Sequence, residues 1–212
     1  METRTILAIE SSVAGGSLAI YRDDRISCSV GNIARVEIIL SSIDSLLVEA
    51  KLTTRDVELV AVSLGPGSFT GIRIGIATAM GIGAANGTPC LGISTITAVA
   101  SSEILRDRFG VVPIGRGQFA IQHFQKGNTE PTDAAKVRVL NAVDLSDLIR
   151  ITSDKVFVFA AESQFSSTEH KSFEFENIVL AGEATAKLMC QLAADGYGNS
   201  ILEPVYARAD HA

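Results

Sequence analysis

The sequence predicts an α/β protein made of two copies of one folding unit. Short apolar, β-branched runs alternate with stretches whose apolar residues recur at helical spacing. The first half reads as three strands followed by alternating helices and strands, and the second half repeats that order more faintly. With 212 residues and a hydrophobic content of 47%, the chain can bury a substantial core.

The first half opens with a meander of strands at residues 5–10, 17–21 and 26–30, separated by a Gly-rich turn and a charged turn. Helical spacing of apolar residues predicts a helix over 32–51. A short apolar strand at 57–64 precedes a Gly-rich loop and a nearly uncharged helix over 72–85. A strand at 88–93 follows, and Ser94 is a plausible N-cap for a helix over 95–105.

The second half repeats this order less clearly. Strands are expected at 111–114, 118–124, 136–140, 156–160 and 178–180, and helices at 144–149 and 183–193. The two copies join near residues 106–110. The sequence therefore predicts an N-terminal domain of residues 1–105 and a smaller, degenerate C-terminal domain of residues 106–212.

The Gly-rich loop at residues 65–75 is the most informative segment. It links a buried strand to a helix, and its glycines allow a sharp turn and a close backbone approach. Either Ser68 or Thr70 could cap the helix. A strand, a tight loop and a helix N-terminus together form a potential anion site.

The helix after this loop carries small residues every four positions, and it is apolar on all sides. The small positions are Gly71, Gly75, Ala79, Gly83 and Gly87. Such a helix is buried on all sides, either within its own domain or between its sheet and a second protein. We favour the second interpretation, in which the small residues form a groove that faces a partner.

Composition excludes several classes of function. The formal net charge is −6, the basic residues are scattered, and unaided binding of nucleic acid is therefore not expected. The N-terminal apolar run is too short for a signal peptide, and the longest apolar stretch is too short for a membrane span. Three widely spaced cysteines suit free thiols, and we expect a cytoplasmic protein.

Motifs for catalysis are absent from the sequence. Gly71 is followed by Ile72, where a P-loop needs Lys. Ser68 lacks the flanking glycines of a serine-hydrolase elbow. The three histidines, His123, His170 and His211, do not have the spacing of a helical metal site, so we expect no metal ligands and no catalytic residues.

Three segments resemble the TsaB (YeaZ) family: residues 6–12, residues 64–75 and residues 204–208. The resemblance implies an actin-like ATPase (ASKHA) fold of two ribonuclease-H-like lobes. It also implies a non-catalytic subunit that docks the catalytic subunit TsaD, recruits the ATPase TsaE and supports threonylcarbamoylation of adenosine 37 in tRNA. TsaB-like chains are expected to form a homodimer when alone and to contact tRNA only indirectly.

The resemblance places the partner surface on the first two helices. The residues expected there are Ile33, Val36, Glu37, Leu40, Leu47, Ile72, Gly75, Ile76, Ala79, Met80 and Gly83. A second set belongs to the loop and to a possible nucleotide junction: Glu10, Ser11, Gly67, Ser68, Phe69, Thr70, Gly71 and Arg73. No cofactor is expected in the isolated chain, but ATP or ADP with Mg²⁺ is possible at the interface of the complex.

The sequence departs from the family pattern at two carboxylate positions. Glu10 stands where the family usually has aspartate, and Pro113 stands where the second lobe usually has an acid. These departures make nucleotide hydrolysis in this chain's own cleft less favoured. Two alternatives stay open: an active actin-like ATP-dependent enzyme or glycoprotease-like hydrolase that uses the loop at 65–71, and a protein that associates only with itself.

Overall fold

The computed structural model describes residues 4–13, 15–30, 33–133, 136–152, 154–159, 176–182 and 184–207. Within these residues, ten strands form two sheets of five, accompanied by five α-helices. The strands are β1 (Ile6–Glu10), β2 (Ser17–Arg22), β3 (Arg25–Val30), β4 (Leu59–Ser63), β5 (Cys90–Ile93), β6 (Arg108–Gly115), β7 (Gln118–Phe124), β8 (Arg138–Asn141), β9 (Val156–Phe159) and β10 (Ile178–Leu180). The helices are α1 (Val36–Glu49), α2 (Phe69–Asn86), α3 (Thr95–Ala100), α4 (Ala142–Ile151) and α5 (Thr185–Ala194).

The two sheets have the same topology. The first has the order β3-β2-β1-β4-β5, and the second has the equivalent order β8-β7-β6-β9-β10. In each, the first three strands pair antiparallel and the last two add in parallel. The predicted α/β class and the predicted duplication of one unit are confirmed.

The predicted elements are present with shifted ends. The predicted limits at Asn32, Ala160 and Glu183 lie outside the described residues, as do Arg208, His170 and His211. The largest difference is at the junction of the two copies. The predicted helix over 95–105 ends at Ala100 and continues as a 3₁₀ turn (Ser101–Glu103), while β6 begins at Arg108, three residues before the predicted strand.

Strand β1 is apolar from Ile6 to Ile9 because both of its faces are covered. Leu7 and Ile9 pack in a core with α1 and α2. Ile6 and Ala8 point to the opposite face and pack with α5. Successive side chains of a strand point to opposite faces, so a strand covered on both sides needs apolar residues at every position.

The last helix of each unit packs against the sheet of the other unit. Helix α3 follows the first sheet, yet Ile96 and Val99 lie in one core with Val112 of β6. Helix α5 follows the second sheet, yet Met189 packs with Ile6 of β1. The predicted boundary at 105/106 divides the two strand sets, but it assigns α5 to the domain whose sheet that helix does not cover.

Arg108 fixes the junction between the lobes. Its side chain is fully buried, and it donates to four backbone carbonyls. Nε donates to Ala100 (2.6 Å), Nη1 donates to Gln125 (3.0 Å) and to Arg106 (3.5 Å), and Nη2 donates to Asn128 (2.8 Å). The carbonyl of Ala100 ends α3, where the helix dipole favours a cation. Arg108 therefore ties the end of α3 to the loop after β7, which explains why a charged residue opens a buried strand.

Replacing Arg108 by Met is expected to lower the free energy of unfolding by about 3 kcal/mol or more, because buried carbonyls lose their donors. The matched control is Arg150→Met, which removes an exposed pair with Asp147 and should cost less than about 1 kcal/mol. Urea unfolding of both variants measures the difference. Equal losses would show that Arg108 does not hold the junction.

Candidate functional site

The turn after β1 is held by a carboxylate of its own. Glu10 Oε1 accepts hydrogen bonds from the backbone nitrogen of Ser12 (2.6 Å), the hydroxyl of Ser12 (2.6 Å) and the backbone nitrogen of Val13 (3.1 Å). The Ser12 hydroxyl also lies 3.0 Å from the hydroxyl of Thr95, at the start of α3. Glu10 is 1% exposed, and this burial raises its pKa to about 7, although the hydrogen bonds act in the opposite direction.

The Gly-rich loop packs against this turn. The backbone nitrogen of Ser68 donates to the carbonyl of Ser12 (2.7 Å), and the Ser11 hydroxyl donates to the carbonyl of Gly71 (2.7 Å). Ser68 is also the N-cap of α2, because its hydroxyl accepts from the backbone nitrogen of Gly71 (3.2 Å). Of the two predicted caps, Ser68 rather than Thr70 fills this role.

The loop needs glycine because its backbone lies very close to the turn after β1. A Cβ at Gly71 would collide with the carbonyl of Ser11, and a Cβ at Gly75 would collide with the Ser11 hydroxyl. A Cβ at Gly67 would press on Ser12. The glycines therefore let the loop and the first turns of α2 lie directly on the end of β1.

This geometry divides the predicted loop residues into two groups. Glu10, Ser11 and Gly71 are buried and form the contact between turn and loop, and Gly67 is half-buried against Ser12. The Glu10 carboxylate is buried in its own turn, whereas a place at a nucleotide junction would need a carboxylate open to a ligand. The exposed members of the set are Ser68, Phe69, Thr70 and Arg73.

The second lobe has Pro113 at the position where the family resemblance leads us to expect an acid. Pro113 is half-buried in β6 and lies opposite Phe119 of β7 in the ladder. His123 of β7 contacts neutral groups: its Nδ1 lies 3.2 Å from the Thr132 hydroxyl, and its ring packs on Phe109 with centroids 5.0 Å apart. Burial lowers the pKa of His123, which favours the neutral ring.

Neither a metal-binding cluster nor a membrane-spanning helix is found in the part of the chain that the structure describes. Within it, no three His, Cys, Asp or Glu side chains are grouped so that they could hold a metal ion. Among the same residues, no helix has the length and apolar character needed to cross a bilayer.

The predicted small-residue groove faces inward, and its placement on a partner surface is wrong. Gly75 and Ala79 are buried against the chain's own sheet, and Gly83 is half-buried against Cys90. The inward-facing members of the predicted interface are Ile33, Leu47, Ile72, Gly75, Ile76, Ala79 and Gly83. The exposed members are Val36, Glu37, Leu40 and Met80. A residue needs an exposed face to reach a partner, so only these four remain candidates.

A second ridge of small residues lies on the outer side of α2. Two residues along a helix correspond to a rotation of about 200°, so Ala77, Gly81 and Ala85 lie nearly opposite the inward ridge. A Cβ at Gly81 would meet no atom within 4 Å. These residues border an open groove of about 470 Å³ between α1 and α2, which we call the α1–α2 groove. Its lining residues are Leu40, Thr54, Ala77, Thr78, Gly81, Ile82, Ala85 and Asn86.

An exposed cluster of three side chains lies at the N-terminal end of α2. The Arg73 guanidinium stacks on Phe69, with Cζ 3.8 Å from the ring centroid, and Arg73 Nε donates to the Tyr206 hydroxyl (3.1 Å). The Phe69 and Tyr206 rings have centroids 5.0 Å apart. Tyr206 lies within the 204–208 segment that resembles the family, but the sequence alone does not place it beside Arg73. The aromatic residue in that tail motif was the available signal.

The comparisons with known proteins identify the family of this chain. The family described as "TsaD: tRNA N6-adenosine threonylcarbamoyltransferase" matches residues 32–202. The chain belongs to this family.

Curated relatives named "tRNA threonylcarbamoyladenosine biosynthesis protein TsaB" confirm the resemblance to TsaB (YeaZ). The protein of Buchnera aphidicola subsp. Schizaphis graminum is 39% identical over 97 residues, which cover 45% of this chain and 46% of the relative. The Escherichia coli K12 protein is 32% identical over 97 residues, which cover 45% of this chain and 42% of the relative. In both cases the match spans somewhat less than half of the relative's length.

A solved structure titled "YeaZ from Pseudomonas aeruginosa" has the same fold. It superposes with a TM-score of 0.68 over 96% of this chain and 100% of that chain, at 21% sequence identity. The expected two-lobed, actin-like α/β fold is confirmed. Of the two residues that depart from the expected TsaB pattern, Glu10 ends β1 and Pro113 lies two residues before the end of β6. Each residue contacts its own lobe.

The buried carboxyl of Glu10 predicts a pH-dependent stability. Its pKa is near 7 in the folded chain and close to 4.5 in the unfolded chain, so the folded chain binds the proton more tightly. This contribution is fully present below about pH 4.5 and is lost as the pH rises through 7, by about 3 kcal/mol in total. Glu10→Gln keeps an acceptor but cannot ionise. Urea unfolding at pH 5 and pH 8 should therefore show a smaller loss of stability in Glu10→Gln than in the wild type. Identical losses in the two proteins would contradict a raised pKa.

Proposed function

We propose that this chain is a non-catalytic subunit that binds a TsaD-type catalytic partner through the α1–α2 groove, in support of threonylcarbamoyl transfer to adenosine 37 of tRNA. The observation that carries the proposal is the groove itself. Leu40 and Met80, which are 58% and 57% exposed, stand on the two helices that form it. Exposed apolar side chains of this kind are stabilised when a partner covers them.

The shape of the groove suits a helix. Ala77, Gly81 and Ala85 have little or no side chain, so the axis of a partner helix can approach α2 to about 8 Å. Val36 and Val48 extend the exposed apolar surface along α1. The inner side of both helices is already committed to the sheet, which leaves this outer side for a second polypeptide.

The comparisons support the choice of partner. The family that matches this chain is that of the transferase, and a homologous partner would present equivalent helices and complete a four-helix interface. The relatives' names refer to the biosynthesis of threonylcarbamoyladenosine in tRNA. The same surface would pair two copies of this chain when the partner is absent. A TsaE-type ATPase would then bind the assembled pair.

We assign catalysis and tRNA contact to the partner because of the carboxylates and the net charge of this chain. Glu10 is enclosed in its own turn, and Pro113 provides no second carboxylate, so catalysis is assigned to the partner. A net charge of −6 disfavours direct contact with the tRNA backbone. A nucleotide with Mg²⁺ at the interface would meet the exposed loop residues Ser68 and Thr70.

Gly81→Leu is expected to fill the groove and weaken partner binding by about 100-fold or more, because the side chain occupies the path of the docking helix. The free chain should keep its stability or gain up to about 1 kcal/mol, since glycine is a poor helix former and no atom lies within 4 Å of the new Cβ. Titration with a purified TsaD-type protein measures the affinity, and thermal unfolding measures the stability.

Gly81→Ala is the matched control and should bind as the wild type does. The variant Gly75→Leu is not a suitable test, because its side chain would collide with Ser11 and disturb the fold itself. Wild-type affinity in Gly81→Leu would remove the α1–α2 groove from the interface.

Leu40→Arg is expected to weaken partner binding by about 10- to 100-fold, because a charge would be buried in an apolar contact. Ile151→Arg introduces the same change at a 79% exposed position of α4, in the other lobe, and should leave binding unchanged. Both variants are then tested for support of tRNA modification with the reconstituted partner. Equal affinities of Leu40→Arg and Ile151→Arg for the partner would mean that Leu40 does not lie in the interface.

A further inference from the structure

The guanidinium of Arg73 is held in one orientation by two neutral groups. Phe69 covers one face of the guanidinium at 3.8 Å, and the Tyr206 hydroxyl accepts from Nε at 3.1 Å. Arginine readily stacks on aromatic rings, and its terminal nitrogens then remain available as a planar fork of donors. The fork of Arg73 is therefore oriented before any ligand arrives.

The C-terminal segment fixes the position of Tyr206. The backbone nitrogen of Val205 donates to the carbonyl of Leu64 (2.8 Å), directly before the Gly-rich loop. Gly65 leaves room for this contact, since a Cβ there would lie 2.7 Å from the Val205 carbonyl. The tail thus holds Tyr206 beside Arg73 through a backbone bond, and the cluster is pre-organised.

Arg73 lacks an anionic partner among the described residues. None of the ion pairs formed within them includes Arg73, and Glu203 of the same tail segment is not paired with it. Arg73 is also the single charged residue of α2. Its two terminal nitrogens have no hydrogen-bond acceptor in this part of the chain, which leaves a bidentate site open to a carboxylate.

The position of Arg73 connects this fork to the α1–α2 groove. Arg73 lies four residues before Ala77 on the outward ridge, a rise of about 6 Å along the helix. A polypeptide lying in the groove and continuing toward the start of α2 passes directly over the fork. The backbone nitrogens of Ser68 and Gly71 are already bonded within the chain, so neither is free to bind an anion beside the fork.

We infer that Arg73 receives a carboxylate side chain of the polypeptide that occupies the α1–α2 groove, and that Phe69 and Tyr206 position the guanidinium for it. This inference rests on the proposed function and adds the chemistry that selects the partner. The groove supplies apolar contact, which many helices can satisfy. The oriented cation selects a helix with an acid at its end, and thereby fixes the direction and register of the docked helix.

The test uses the full chain and a purified TsaD-type partner. Arg73→Gln is expected to weaken binding by about 10- to 100-fold, the range for a lost hydrogen-bonded charge pair. Arg73→Lys keeps the charge but loses the planar fork of donors. Its affinity for the partner should lie between those of the wild type and Arg73→Gln. Tyr206→Phe should weaken binding by a smaller factor, because it frees the guanidinium without removing it. Arg150→Gln in the other lobe is the charge-matched control and should bind normally.

The carboxylate is then located by replacing the acids on the partner's docking face with the corresponding amides. One such variant of the partner should lose as much affinity as Arg73→Gln does. Combining that partner variant with Arg73→Gln should weaken binding little further. Wild-type affinity in Arg73→Gln, together with lost binding in Gly81→Leu, would overturn this inference and leave the proposed function standing. Wild-type affinity in both variants would overturn both.

Two further outcomes would also overturn the inference by assigning the fork to another anion. One is a loss in Asp210→Asn, in the tail outside the described residues, equal to that in Arg73→Gln. The other is binding of ADP to the free chain that disappears in Arg73→Gln. We expect wild-type affinity for the partner in Asp210→Asn and no binding of ADP at Arg73.

Discussion

The contact between the Glu10 turn and the Gly-rich loop is the constraint on which the first lobe depends. The Glu10 carboxylate closes its turn, the turn presents the Ser12 carbonyl to Ser68, and Ser68 caps α2. Because the turn occupies the space beside Gly71, the start of α2 lies on the end of β1 with no room for a side chain. This contact sets the rotation of α2 and therefore decides which of its residues face solvent.

The same contact explains why the Glu10 carboxylate, at the end of the first strand of an actin-like fold, stabilises the turn instead of binding a ligand. A buried acid that accepts three hydrogen bonds from its own turn is shielded from water and from ligands. The cleft is further restricted by the exchange of α3 and α5 between the lobes and by the buried Arg108 at the junction. The arrangement favours a rigid platform that presents the outer surface of α1 and α2 to solvent.

That outer surface combines two physical properties with different roles. The α1–α2 groove offers apolar area and small side chains, which give close contact but little selectivity. The Arg73 fork at its end offers a single oriented cation on a protein of net charge −6. Apolar burial would supply most of the affinity, and the cation would select among partners by penalising those that leave it without an acid.

The sequence by itself determined the order of the elements, the duplication and the family, because each depends on local spacing or on a contiguous motif. It narrowed the cap of α2 to Ser68 or Thr70, and the structure decided for Ser68. Tertiary structure alone decided which side of α2 faces outward. The two ridges of that helix are both built from small residues, and a shift of two positions turns a residue to the opposite side. Tertiary structure also brought Tyr206 to Arg73 and α5 to the first sheet, because residues more than 130 positions apart meet only after the chain has folded.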